Sequence, residues 1–157
     1  MKKRVSVKIG DVFSIKLKLN QDLNCYGRVV SEGRISDCMI VFDLISMEHP
    51  TVSEITSNPI IFLLQTVNSR IEDGIWKVIG NAPIPRMTFP MYKEETEDGY
   101  TLVDHKGDIV TENPSASQIE VASELESWSP VSLEKAVIAR FVTGEWDPYY
   151  NDLIYIE

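Results

Sequence analysis

The sequence predicts a β-rich α+β fold: a mostly antiparallel meander or partly open barrel with one C-terminal helix. Three observations carry this. Short β-branched and aromatic runs, separated by glycine, proline and asparagine turns, fill most of positions 8–110. From Ile15 on, Ile15, Leu17 and Leu19 alternate with Lys16 and Lys18, the period of a half-buried strand. Helical spacing bracketed by a start and a stop signal follows Ser129.

Taken in order, Gly10-Asp11 supplies the turn that opens the first strand, and Asn20–Asn24 is polar and turn-like. Tyr26–Glu32 returns, with Gly27 marking a bulge or a close backbone approach. Met39–Ile45 is continuously apolar but for Asp43, the pattern of a central strand, so the three strands form a meander. Thr51–Ser57 admits two readings: a short helix capped by Thr51 with Glu54 three residues on, or a polar loop. Ile60–Leu64 is a strand and Glu72-Asp-Gly74 a turn. Ile75–Ile79 is a strand with Trp76 and Val78 on one face, and Pro83 and Pro85 end it. Phe89–Tyr92 is expected as an edge strand and Lys93–Gly99 as an acidic turn. Tyr100–Asp104 and Asp108–Val110 form a hairpin about His105-Lys-Gly107, and Thr111–Ser117 is a polar loop. Ser129 and Pro130 fit the N-cap and first helical position, Leu133, Ala136, Val137 and Phe141 share one face, and Gly144 closes the helix. The aromatic tail Glu145–Tyr150 packs back on the body.

A chain of 157 residues fits one domain, residues 1–157, long enough to bury its own core. No apolar run reaches the roughly 20 residues of a membrane-spanning helix. Met1-Lys-Lys-Arg4 resembles the start of a signal peptide, but Lys8, Asp11, Lys16 and Lys18 interrupt the apolar stretch that should follow, so a cytoplasmic location is expected. Cys25 and Cys38 are expected as reduced thiols, because a hairpin about Gly33 places Cys38 opposite Arg28 or Val29 and not opposite Cys25. The net charge is −9. Residues 1–28 hold seven Lys/Arg against two Asp/Glu, whereas residues 93–126 hold two against ten. Such a balance repels phosphate backbones and anionic membranes and steers basic partners inward.

Catalytic patterns are missing. His49 and His105 sit in turns without metal-ligand spacing, no serine lies in a nucleophile elbow, and the glycines form no phosphate loop. No catalytic residue, metal ligand or cofactor is assigned, and the expectation is a protein without enzymatic activity. Glu94, Glu95, Glu97 and Asp98 crowd one segment, with Asp104 following: a solvated loop by default, or an electrostatic contact for a basic protein surface. Trp76 and Trp146 fit a core. Trp128, just outside the helix start, is a candidate apolar anchor if exposed.

Gly10-Asp-Val-Phe-Ser-Ile-Lys-Leu17, Tyr26-Gly-Arg-Val-Val30 and Trp76-Lys-Val-Ile-Gly80, with Phe89-Pro-Met-Tyr92 after them, resemble in order and spacing the bacterial immunity protein 26 family over roughly residues 8–110. The resemblance implies a protein of polymorphic toxin or contact-dependent growth inhibition systems that binds a cognate toxin C-terminal domain, often a nuclease, and blocks it inside the producing cell. No contact residue carries over from the motifs. On charge, Glu94, Glu95, Glu97, Asp98 and Asp104, with Trp128 as anchor, are the expected toxin-binding set, mimicking phosphate in a basic cleft. The expected partner is therefore a protein, with neither nucleic acid nor membrane, and oligomeric state stays open. The alternative is a small-ligand or oligonucleotide-binding β-barrel; Phe13 and Tyr26 are the aromatics near its basic residues. A second rival is an enzyme with Asp43, Glu48 and His49 converging in a pocket.

Overall fold

The computed structural model describes residues 3–156. The expected antiparallel meander of β1 (Asp11–Lys18), β2 (Gln21–Ser31) and β3 (Asp37–Ser46) is present, and β4 (Ile60–Thr66) extends it to four strands. After β4 the chain passes through α2 (Ser69–Glu72) and returns to the far edge, where β5 (Lys77–Asn81) pairs with β1. A two-residue strand, β10 (Ser127–Trp128), joins β4 in parallel, giving the order β10-β4-β3-β2-β1-β5. A second sheet, in the order β8-β7-β6-β9, holds β6 (Tyr92–Thr96), β7 (Gly99–Val103), β8 (Ile109–Thr111) and β9 (Ser123–Glu124). The two sheets do not close into a barrel.

The first sheet is buried on both faces, which explains why β2 and β3 read as apolar runs and only the end of β1 alternates. On one face Phe13, Ile15, Met39 and Val41 meet Ile71, Trp76 and the helix α4 (Pro130–Ile138), which contributes Leu133, Ala136 and Val137. On the other, Val12, Tyr26, Ile40 and Phe42 meet Ile55 of α1 (Val52–Thr56) and Ile84, Met87 and Phe89 of the following coil. The helix reading of Thr51–Ser57 is the one adopted, with both halves of the capping box formed. Ser129 caps α4, a π-helical turn extends it over Ala139–Thr143, and Gly144 ends it at φ 73°. The tail folds back through a 3-10 turn, Pro148–Leu153, with Trp146 stacked on Phe62.

The three glycine-punctuated motifs meet at one place. Phe13 pairs across the ladder with Gly27, and its ring stacks on Trp76 with centroids 5.4 Å apart. A Cβ on Gly27 would stand 2.6 Å from Phe13 Cζ and 2.8 Å from the Ile40 carbonyl oxygen, so the close approach inferred for this glycine is real. The ladder also slips between Cys25 and Gly27. Asp11 accepts from the Lys8 amide and from Asn81 Nδ2, both at 2.9 Å, which ties the opening Gly-Asp turn to the end of β5. Trp76 Nε1 donates to Glu134 Oε2 at 3.3 Å, and Glu134 pairs with Arg70, fastening α4 to the same node.

Several local expectations are corrected. Trp76 precedes β5 and is buried, whereas Val78 is 37% exposed, because β5 is an edge strand. Phe89–Tyr92 is coil up to Met91; Pro90 has no N–H for a ladder, and pairing starts at Tyr92. Lys93–Gly99 is not simply a turn: Tyr92–Thr96 is a strand, and the reversal is confined to Glu97-Asp98 before Gly99. A further helix, α3 (Ala116–Val121), stands on a Ser115/Gln118 capping box. Cys38 faces Ser31, not Arg28 or Val29, because the ladder shifts between Val29 and Ser31; Cys25 pairs with Ile45, and both thiols are free and buried.

Candidate functional site

The acidic segment is built on the β6–β7 hairpin. Its register, Glu94 opposite Thr101 and Glu95 opposite Tyr100, sends the two glutamates to opposite faces of the second sheet. Glu94 faces the first sheet, where its Oε1 lies 3.7 Å from Arg34 Nη2. On the other face Lys93 Nζ lies 5.2 Å from the centre of the Tyr100 ring and donates to the Ile119 carbonyl, fastening α3 over the strand pair. Glu95, Glu97 and Asp98 are exposed, and no ion pair within 4 Å involves them among the described residues. The hairpin tip therefore presents free carboxylates on a hydrogen-bonded strand pair.

Asp104 is different. Its Oδ1 accepts from the backbone N–H of Lys106 at 2.9 Å and of Asp108 at 3.0 Å, so this carboxylate holds the β7–β8 turn. That turn carries His105, whose ring stacks on Phe89 with centroids 3.7 Å apart. Burial lowers the affinity of this imidazole for a proton, against the opposing pull of Asp104. The turn also joins the sheets: Gln65 Nε2 donates to the His105 carbonyl at 2.6 Å, and Arg34 donates to the carbonyls of Lys106 and Gly107. A cleft of about 250 Å³ opens at this junction between Arg34, Glu94, His105 and Glu126.

Trp128 does not have the exposure an anchor needs. It is 6% exposed, its carbonyl accepts from Thr66 Oγ1 at 2.7 Å, and Tyr149 tilts over its ring at 4.5 Å. Pairing of β10 with β4 draws it into the core. Sequence reasoning did not single out Glu124 and Glu126. They lie with Asp152 along a groove of about 560 Å³ between the β4 edge and the second sheet. Their presence in the acidic run was the available signal. Glu126 accepts from the Tyr149 hydroxyl at 3.1 Å and raises the pKa of that phenol.

The triad of a hypothetical acidic enzyme site is not assembled. Asp43 pairs with Arg140 at 3.6 Å, His49 pairs with Asp22, and the Glu48 amide donates to Ser46 Oγ. Among the described residues no three His, Cys, Asp or Glu side chains group as metal ligands.

The family model described as Immunity protein 26 matches residues 8–106, from the opening strand to the turn that joins the two sheets. No curated protein and no solved structure matches the chain. The matched stretch contains the whole Phe13–Gly27–Trp76 node and the acidic hairpin. The chain belongs to the immunity protein 26 family.

Proposed function

We propose that this protein neutralises a basic toxin domain, a nuclease, by laying the tip of the β6–β7 hairpin into the toxin's positive cleft and covering its active site. It would do so without enzymatic activity, in the cytoplasm of the producing cell, within a polymorphic toxin or contact-dependent inhibition system. The family supplies the immunity role. The observation that carries the finer reading is the set of exposed carboxylates of Glu95, Glu97 and Asp98 at the hairpin tip, in a chain of net charge −9. Glu94 and Asp104 are engaged within the chain, one by Arg34 and the other by its own turn. Free carboxylates on a preformed strand pair offer negative charge to a basic cleft at little ordering cost. The oligonucleotide-barrel reading loses its scaffold, because the sheets stay open.

The test is association kinetics between the purified chain and its genetically linked toxin across a range of salt concentrations. The triple variant Glu95→Lys, Glu97→Lys, Asp98→Lys should associate more slowly and lose most of the salt dependence of the parent. Three rim pairs at roughly 0.2–1 kcal/mol each predict about a 3- to 150-fold rise in Kd. Unchanged rate and affinity would remove the hairpin from the interface.

A further inference from the structure

A third concavity lies at the opposite edge of the first sheet, on the face that also carries α1. It measures about 360 Å³ and forms where β1, β2 and β5 run side by side. The ladders place Ser14 between Tyr26 and Lys77, and Lys16 beside Asn24, in adjacent rows of one face. Lys16 and Lys77 stand exposed at its mouth. At its rim His49 has a left-handed backbone, φ 52°, and its Nε2 pairs with Asp22. Asp22 also accepts from Asn24 Nδ2 at 2.9 Å, so the one carboxylate lining the cleft is already engaged by an amide and an imidazole.

Tyr26 sets this cleft apart from an ordinary surface dent. The side chain is 1% exposed, yet its hydroxyl is buried and has no hydrogen-bond partner among the described residues. Burial and the nearby charge of Asp22 keep the phenol protonated, so it remains a donor. A buried donor without an acceptor is costly, and most buried hydroxyls find one. The half-buried Ser14 also lines the cleft, and Lys16 and Lys77 add positive charge in a chain that is otherwise strongly acidic. Two hydroxyl donors and two ammonium groups around one void call for a ligand that only accepts hydrogen bonds and carries negative charge.

We propose that this cleft binds an oxyanion, a carboxylate or a phosphate group, with Tyr26 and Ser14 donating from their hydroxyls and Lys16 and Lys77 balancing its charge. The apolar rim of Ile75, Val78 and Ile79 admits a ligand whose anionic group is attached to an aliphatic stem.

The experiment uses the isolated chain and needs no toxin, so it stands or falls apart from the hairpin reading. Amide chemical shifts and calorimetry follow titration with inorganic phosphate and, separately, with succinate, at constant ionic strength set by chloride. Saturable shifts confined to Ser14, Asn24, Tyr26 and Lys77–Ile79 are expected from at least one probe. Saturation by phosphate alone assigns a phosphate group, and saturation by succinate alone assigns a carboxylate. Tyr26→Phe removes one oxygen and should weaken binding by at least about tenfold, the effect of a lost hydrogen bond to a charged group, with the thermal midpoint unchanged or raised. Ser14→Ala and the pair Lys16→Met, Lys77→Met should weaken it as well. Absence of saturation with both probes, or binding that survives all these variants, overturns the proposal.

Discussion

Replacing Gly27 by alanine tests the packing node on which the fold turns. The φ of Gly27 lies outside the left-handed region, so an alanine there meets no backbone strain, and lower unfolded-state entropy alone would favour it by about 0.4–1 kcal/mol. Space decides the other way. The added methyl would sit 2.6 Å from Phe13 Cζ, 2.9 Å from Phe13 Cε2 and 2.8 Å from the Ile40 oxygen. The ring cannot swing freely, because Phe13 is fully buried against Trp76. The Ile40 oxygen belongs to β3, which is held between β2 and β4. Overpacking of this kind costs about 1–3 kcal/mol, and in a chain of this size each kcal/mol moves the midpoint by roughly 2–4 °C. Gly27→Ala should therefore lower the thermal midpoint by about 2–12 °C, measured by circular dichroism with urea unfolding as a second probe. Phe13→Leu lowers stability by itself but withdraws the ring atoms, so the two changes together should cost less than their sum. The reasoning fails if Gly27→Ala is as stable as the parent, or if the two changes simply add.

Three further outcomes follow from buried and titrating groups. Burial raises the pKa of both thiols, that of Cys38 to about 12, so a disulfide reagent at mild alkaline pH should label neither cysteine before global unfolding. Rapid labelling of the native protein would contradict that. Burial depresses the His105 pKa below its ordinary 6.5, so the unfolded chain takes the proton first; stability is complete above that value and falls as pH drops through it towards the folded pKa. His105→Phe keeps a ring on Phe89 and should flatten this part of the stability–pH curve, and an unchanged slope would exclude His105 as its source. Ser115→Ala, which removes the α3 cap, should cost about 0.5–2 kcal/mol, read as a shift in urea midpoint; no shift would mean that α3 contributes little to the folded state.

What the sequence made legible, and what it hid, divides along sequence separation. The first four strands, the Thr51 capping box, the α4 cap and Gly144 rest on signals within a few residues, and the structure contains each. Gly27 was readable as a close approach, but its partner Phe13 was not, because register decides who faces whom. The strand at Tyr92–Thr96 was hidden by its glutamates, which strands disfavour on average but tolerate on a wet face. The Ser115/Gln118 box was present in the sequence and went unused. At the candidate site, the identity of the acidic residues was legible, whereas their state was not. Whether Glu94 is free depends on Arg34, and whether Trp128 is exposed depends on Thr66, 62 positions away.

The family match ends at residue 106, but the core does not. Leu133, Ala136 and Val137 of α4, Trp128 of β10 and Leu153 of the tail all belong to the cluster that contains Phe13 and Trp76. Without them, one face of the first sheet would meet water. Each such side chain contributes about 1.5–3 kcal/mol when buried, alanine less, so their joint loss rivals the 5–15 kcal/mol by which a domain of this size is stable. The Trp76–Glu134 hydrogen bond and the β4–β10 pairing would go as well. This shared core predicts that the matched stretch does not fold on its own: a chain ended after residue 112 should bind hydrophobic dye and show no cooperative thermal transition. Leu133→Asp in the full chain applies the same logic at one point, placing a charge against Phe13 and Trp76, and should destabilise strongly. A truncated chain that melts cooperatively with native near-ultraviolet dichroism would show that the motif node is self-sufficient. The C-terminal segment would then be an appendage, free of the packing duty its burial assigns to it.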